Sequence, residues 1–191
     1  WHYAEIHNIY RSAIMKVPNY KIIEGDSTWA DRYIDFCQVA YEKAYTNLEL
    51  NITPDLHNEE VFATPHFQQY FRGLFTGKYA SKIWLVIDQN ENIIGSVAVQ
   101  DYEDHCEMKA FYVKPDLKGK GIGRELYEKV LDYVGDRSIE VEVIHYHQDA
   151  INMYLKWGYE IDEQRGKIIY NRSNWPELAA KNLWAIVLVK K

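Results

Sequence analysis

The sequence predicts an α+β domain, with a mixed but mostly antiparallel central sheet flanked by helices. Three observations carry that prediction. Residues 82–88, 92–100 and 105–113 (KIWLVID, NIIGSVAVQ, HCEMKAFYV) are three consecutive strand-length runs rich in β-branched and aromatic residues. Helical spacing over residues 124–134 and 147–157 then alternates with strand patterning over 138–144 and an apolar run at 183–189, so the late strands are joined by crossovers rather than by hairpins. With 191 residues, 47% of them hydrophobic, the chain can bury a core, and no apolar run approaches the ~20 residues of a membrane span.

Taken in order, residues 1–19 are rich in tyrosine and isoleucine without a firm period, and are expected to form an arm or extra helix ahead of a single domain over 20–191. Residues 20–24 (YKIIE) read as a strand. Asp26, Ser27 and Thr28 offer N-caps for a helix from Trp29 to about Tyr45, whose apolar face carries Tyr33, Phe36, Cys37, Ala40, Tyr41, Ala44 and Tyr45 at spacings of three and four. Thr64-Pro65 begins a further helix, expected to end at Gly77. Gln-Asn-Glu at 89–91 is the turn of a hairpin, and the run at 105–113 adds a third strand. The helix over 124–134 places Leu126, Tyr127, Val130, Leu131 and Val134 on one stripe and ends at Gly135. Gly158 stops the helix over 147–157, and residues 171–181 are expected to form an excursion between the last two strands.

Charge narrows the partners. Twenty-eight acids against 22 Lys plus Arg give a net charge of −6, which argues against a nucleic-acid partner held by phosphate neutralisation. Yet Lys114, Lys118, Lys120 and Arg124 fall close together, a basic island suited to one specific anion. Cys37 and Cys106 form no C-x-x-C pair, so no zinc site or disulfide framework is expected, no histidine pair has metal-ligand spacing, and a cytoplasmic location is the default.

The island lies in VKPDLKGKGIGREL, residues 113–126, where a strand runs through glycines into a helix. Unpaired N–H groups and the helix dipole make such a junction attract phosphate. A Walker loop is excluded because Gly123 is followed by Arg124 and Glu125 instead of Lys-Ser/Thr. A dinucleotide fingerprint is disfavoured because neither glycine pair is completed by a third glycine, and because three strands come first.

What remains, FYVKPDLKGKGIGRELYEKVLDY, resembles the acetyl-coenzyme A motif of the GNAT superfamily of N-acetyltransferases, Q/R-x-x-G-x-G/A after a strand ending Val-x-Pro. Lys118 stands where the family has Gln or Arg. AINMYLKWGYE, residues 150–160, is similar to the family's later A-x-x-x-Y-x-K-x-G-F/Y segment, with His147 where the family often has Asn. The resemblance covers residues 83–159 well. It implies a sheet splayed in the middle, acetyl-CoA as donor, and direct transfer to a primary amine in a ternary complex.

By that resemblance Phe111, Tyr112 and Val113 hold the pantetheine arm, Lys118, Gly119, Lys120, Gly121, Ile122, Gly123 and Arg124 cradle the pyrophosphate, and His147 and Tyr154 also touch the cofactor. Tyr154 is the expected general acid for the leaving thiolate, its alternative being a packed side chain beside Met153 and Trp157. Strand alternation puts Glu107, Lys109 and Phe111 on one face, and Glu107 lies where some family members carry a base, with His145, His147 and Glu142 as alternatives. The N-terminal helices form the family's acceptor wall. Tyr33, Tyr41, Tyr45, Phe67, Tyr70 and Phe71, with Asp31, Asp35 and Glu42 nearby, are expected to suit a small cationic amine, as in the family's polyamine acetyltransferases. A homodimer is compatible with this reading. A protein N-terminal or lysine acetyltransferase, and a non-catalytic CoA-binding module, are the alternatives.

Overall fold

The computed structural model describes residues 19–169 and 183–191. The expected arm over residues 1–18 and the excursion over 171–181 lie outside the described residues. Eight strands form one sheet: β1 (Tyr20–Glu24), β2 (Lys82–Asp88), β3 (Ile93–Asp101), β4 (His105–Val113), β5 (Ser138–Ile144), β6 (Glu160–Ile161), β7 (Ile168–Ile169) and β8 (Trp184–Lys190). Their order is β1-β2-β3-β4-β5-β8-β6, with β7 also paired to β8. The helices are α1 (Ala30–Tyr45), α2 (Glu59–Phe62), α3 (Pro65–Gly73), α4 (Ile122–Val134) and α5 (Gln148–Lys156). Among the described residues no helix is long and apolar enough to cross a membrane.

Local chemistry explains most boundaries. The Asp26 carboxylate accepts from the Thr28 N–H at 2.9 Å and caps the short turn leading into α1. The helix expected to reach Gly77 stops at Gly73, whose carbonyl accepts from the N–H groups of both Lys78 and Tyr79 and so is taken by a closing turn. The β2–β3 hairpin is held by Asp88, whose carboxylate accepts from the N–H groups of Asn90 and Asn92 at 2.9 and 2.8 Å.

All neighbouring strands are antiparallel except β4 and β5, which run parallel because α4 carries the chain across. That pair is joined only where His105–Glu107 meets Ser138–Glu140. Beyond Glu107 the two strands part, and the sheet opens between them.

A bulge in β4 accompanies the opening. Ala98 pairs with Lys109 but Ser96 pairs with Tyr112, so Ala110 and Phe111 together face Val97. Ala110 adopts φ 52°, a left-handed conformation rare for a residue with a side chain, and its carbonyl accepts from the buried Ser96 hydroxyl at 2.8 Å. The extra residue reverses alternation along the strand. Glu107 and Lys109 point to the α1 side, as Ala110 and Tyr112 do, whereas Phe111 and Val113 pack on the α4 side. The expectation that Phe111 shares a face with Glu107 and Lys109 is therefore corrected.

Each face of the sheet carries a core. On one, α1, α2 and α3 bury Tyr33, Phe62, Phe71, Leu85 and Ile87; on the other, α4 and α5 bury Val97, Met108, Leu126, Val130 and Ile151. Tyr33 is wholly enclosed against the rings of Phe36, Phe71 and Phe75. It cannot meet an acceptor, which corrects its assignment to the substrate wall. Tyr33→Ala is expected to cost about 3–5 kcal/mol of stability, read from denaturant unfolding, while Tyr33→Phe leaves the acceptor KM unchanged.

Candidate active site

The opening between β4 and β5 is a cleft of about 760 Å³. It gathers residues far apart in sequence: Glu107, Phe111, Tyr112 and Val113 from β4, Lys118 from the following loop, Tyr41 and Tyr45 from α1, and His147 and Tyr154 from the β5–α5 segment. Each is reached for a backbone reason. Splaying of parallel strands exposes the β4 edge, and α5 begins at the end of β5, so its first two turns face the gap.

The chain leaves β4 through Pro115 and enters α4 at Ile122. Gly119 and Gly121 take φ 76° and 95°, and a Cβ on either would meet nothing within 4 Å. Glycine is needed there for conformation rather than for room. Among the described residues the N–H groups of Gly119, Gly121, Ile122 and Gly123 have no backbone acceptor, so four donors are left available at the positive end of α4. Gly123 lies against the Phe111 and Val113 side chains, 3.5 and 3.7 Å from where its Cβ would be, which seats the helix start on β4. Lys118 and Lys120 are exposed beside the loop, and Arg124 is also exposed, reaching Glu128 at 3.5 Å. Residues 119–124 do not line the cleft itself; they continue from its Lys118 edge.

Inside the cleft tyrosines dominate. The Tyr45 and Tyr112 hydroxyls lie 2.9 Å apart, tying α1 to β4, and the Tyr146 hydroxyl donates to the Tyr45 carbonyl at 2.9 Å, tying α1 to the end of β5. These two bonds bridge the splay. Tyr154 packs edge-on against Trp157 and Tyr159, its ring in the core of the α4 side, and its hydroxyl makes no hydrogen bond among the described residues. Burial pushes that hydroxyl well above the ordinary tyrosine range, and neighbouring Tyr45 adds to it, so Tyr154 keeps its proton. His147 has its ring 5.1 Å from that of Tyr45, and its Nε2 is shielded from solvent with no hydrogen-bond partner.

The charged groups differ from the sequence expectation. Asp31 and Asp35 are exposed on the far side of α1, Asp31 paired with Arg72 at 2.5 Å, and neither they nor Glu42 line the cleft. The acids that do are Glu107 and Glu142, both expected as candidate bases, and Asp149, which was not anticipated. Glu107 is engaged twice: Lys109 Nζ lies 2.6 Å away and the Tyr102 hydroxyl donates to it at 3.1 Å. His145 turns outward, stacked on Trp184 with Nδ1 3.0 Å from the Trp184 carbonyl, and is not part of the lining. Tyr70, expected on the acceptor wall, lines the cleft, whereas Phe67 and Phe71 are core residues; Lys43 and Tyr146 also line it and were not anticipated. For Lys43 the helical period places it on the flank of an apolar face, the one signal that could have found it.

Comparison with known proteins follows the same outline. No curated protein matches the chain. Among solved structures it is similar to a GNAT-family acetyltransferase from Staphylococcus aureus Mu50, with 18% identity over 90% of this chain and 98% of the other and a TM-score of 0.58. It is similar to the PaiA N-acetyltransferase of Thermoplasma acidophilum in complex with coenzyme A, with 13% identity over 88% and 98% and a TM-score of 0.60. NAA60 of Arabidopsis thaliana, in complex with a bisubstrate analogue, gives 12% identity over 90% and 97% and a TM-score of 0.61. A family model described as the acetyltransferase (GNAT) family matches residues 43–159, from the end of α1 to just beyond α5. With that match spanning more than half its length, the chain belongs to the GNAT acetyltransferase family.

Proposed function

We propose that this acetyl-CoA-dependent enzyme transfers the acetyl group directly to the primary amine of a small cationic molecule, with both substrates held in the β4–β5 cleft. The observation that carries the reading is the Tyr154 hydroxyl, without a hydrogen-bond partner among the described residues, on the wall of a cleft that continues into the glycine loop before α4.

The residues present suit coenzyme A. N–H groups left without backbone acceptors at Gly119, Gly121, Ile122 and Gly123 suit a pyrophosphate, Lys118, Lys120 and Arg124 supply exposed positive charge, and the edge of β4 facing the gap at Phe111 to Val113 can pair with the pantetheine amides. When bound, acetyl-CoA supplies an activated acyl group on a thiol leaving group. The protein's part is to hold the arm along β4, to exclude water, and to keep a proton at Tyr154 Oη for the departing sulfur. A cationic acceptor is supported by the aromatic wall of Tyr41, Tyr45 and Tyr70 and by the acids Glu142 and Asp149, Glu107 being already paired with Lys109. Both cysteines are free and buried, in keeping with a reducing cytoplasm.

The acceptor class is tested by comparing kcat/KM for spermidine, an amino sugar, free amino acids, and peptides with a free N-terminus or an internal lysine. The polyamine is expected to exceed every peptide by at least about tenfold, a difference of ~1.4 kcal/mol. A peptide preferred by that margin would replace the small-molecule reading with the protein-acetyltransferase one.

A further inference from the structure

We infer that Lys43 of α1 closes the pyrophosphate site of coenzyme A from the helical wall, so that the cofactor is held between Lys43 and Lys118 where it enters the cleft. The inference rests on acetyl-CoA occupying the β4–β5 cleft and adds a contact from an element the glycine loop does not include.

A lysine in the last turn of a helix is ordinary in itself, because the helix dipole favours a cation there. Its surroundings set Lys43 apart. Ala40, Lys43 and Ala44 fall on one stripe of α1 and all three line the cleft, so the lysine stands between two small side chains that leave room beside it.

Position assigns this part of the wall to the cofactor. The parallel strands β4 and β5 part toward their C-terminal ends, and the last turn of α1 lies over those ends. The Tyr45 hydroxyl meets that of Tyr112, near the end of β4, and the Tyr146 hydroxyl, just past β5, donates to the Tyr45 carbonyl, both at 2.9 Å. His147 follows, with its ring 5.1 Å from that of Tyr45. Lys118 reaches the same corner from the β4–α4 loop. Burial holds the His147 imidazole below its ordinary value, a hydrogen bond to the Ala44 carbonyl opposes this, and the nearby charge of Lys118 adds to it.

Lys43 and Lys118 are both exposed, and among the described residues neither has a carboxylate within ion-pair distance. Asp149, on the same lining, pairs with neither. Two such lysines at one mouth make a local positive field that an anionic ligand neutralises. Glu107 and Glu142 lie toward the closed end, where Glu107 still pairs with Glu140 of β5. The cleft is thus sorted by charge along its length. With the pantetheine arm along β4, the group that lies at the mouth is the pyrophosphate, flanked by the glycine-loop N–H groups and Lys118 on one side and by the flexible Lys43 ammonium on the other.

The test measures binding by calorimetry for wild type, Lys43→Gln and Lys43→Glu, using acetyl-CoA and 3′-dephospho-acetyl-CoA, which keeps the pyrophosphate. Because Lys43 is exposed, both variants are expected to unfold at the wild-type temperature. The acetyl-CoA Kd is expected to rise about 3–10-fold in Lys43→Gln and further in Lys43→Glu, by the same factors for the dephospho ligand, and by less at high salt. Three results would overturn the inference: Kd unchanged in both variants, a factor that disappears with the dephospho ligand, or a raised acceptor KM with Kd intact. Binding is read without turnover, so a wild type that binds acetyl-CoA but acetylates nothing overturns the enzyme reading and leaves the Lys43 result to be judged on its own Kd values. A wild type that does not bind acetyl-CoA overturns both.

Discussion

Tyr154→Phe is expected to lower kcat by about 10²–10⁴-fold while leaving acetyl-CoA affinity and the unfolding temperature close to wild type. The structure makes this an unusually clean substitution. The Tyr154 hydroxyl makes no hydrogen bond among the described residues, so its removal strands no buried partner, and the ring keeps its edge-on contacts with Trp157 and Tyr159. A merely structural tyrosine would show the reverse, with turnover intact. Because the hydroxyl sits well above the ordinary tyrosine range, the wild type holds the donor proton throughout neutral pH, and the residue should contribute no alkaline limb near neutrality.

Gly121→Ala is expected to act on cofactor binding instead. At φ 95° an alanine is strained by about 1–2 kcal/mol, although nothing lies close enough to clash with its Cβ. The exposed loop can relieve that strain by turning away from the left-handed region, which displaces the N–H groups left available before α4. If the strain is taken wholly from the bound state, the acetyl-CoA Kd rises by about 5–30-fold, measurable by calorimetry, with kcat at saturation little changed. Equal affinity in the variant would remove the loop from the phosphate site.

Much of this was legible in the sequence because it depends on residue type and spacing. A strand that runs through alternate glycines into a helix presents its N–H groups whatever surrounds it, and the spacing of Ala150, Tyr154, Lys156 and Gly158 places one tyrosine on the inner face of α5. The parallel β4–β5 pair followed from the crossover helix between them. The bulge was not legible. Nothing in Ala110-Phe111-Tyr112 signals a left-handed residue; the register of β3 and the Ser96 hydrogen bond impose it, and simple alternation then misplaces Phe111. The three tyrosines of α1 fail for a related reason. They share a helical face, yet Tyr33 lies 3.4 Å from Ser96 on β3, where the sheet is continuous, whereas Tyr45 reaches Tyr112, beside the gap. Which one meets solvent depends on where two distant strands part, and the helix alone does not encode that.

The cleft, its loop and Tyr154 together make one claim, that the protein moves an acetyl group from coenzyme A to an amine. The most direct measurement is thiol release from acetyl-CoA, followed continuously over a panel of polyamines, amino sugars, amino acids and peptides. The account predicts release that requires protein, acetyl-CoA and an amine together, and that yields one thiol per acetylated product. Tight binding of acetyl-CoA with no thiol released by any amine would contradict it and leave a CoA-binding module in place of an enzyme.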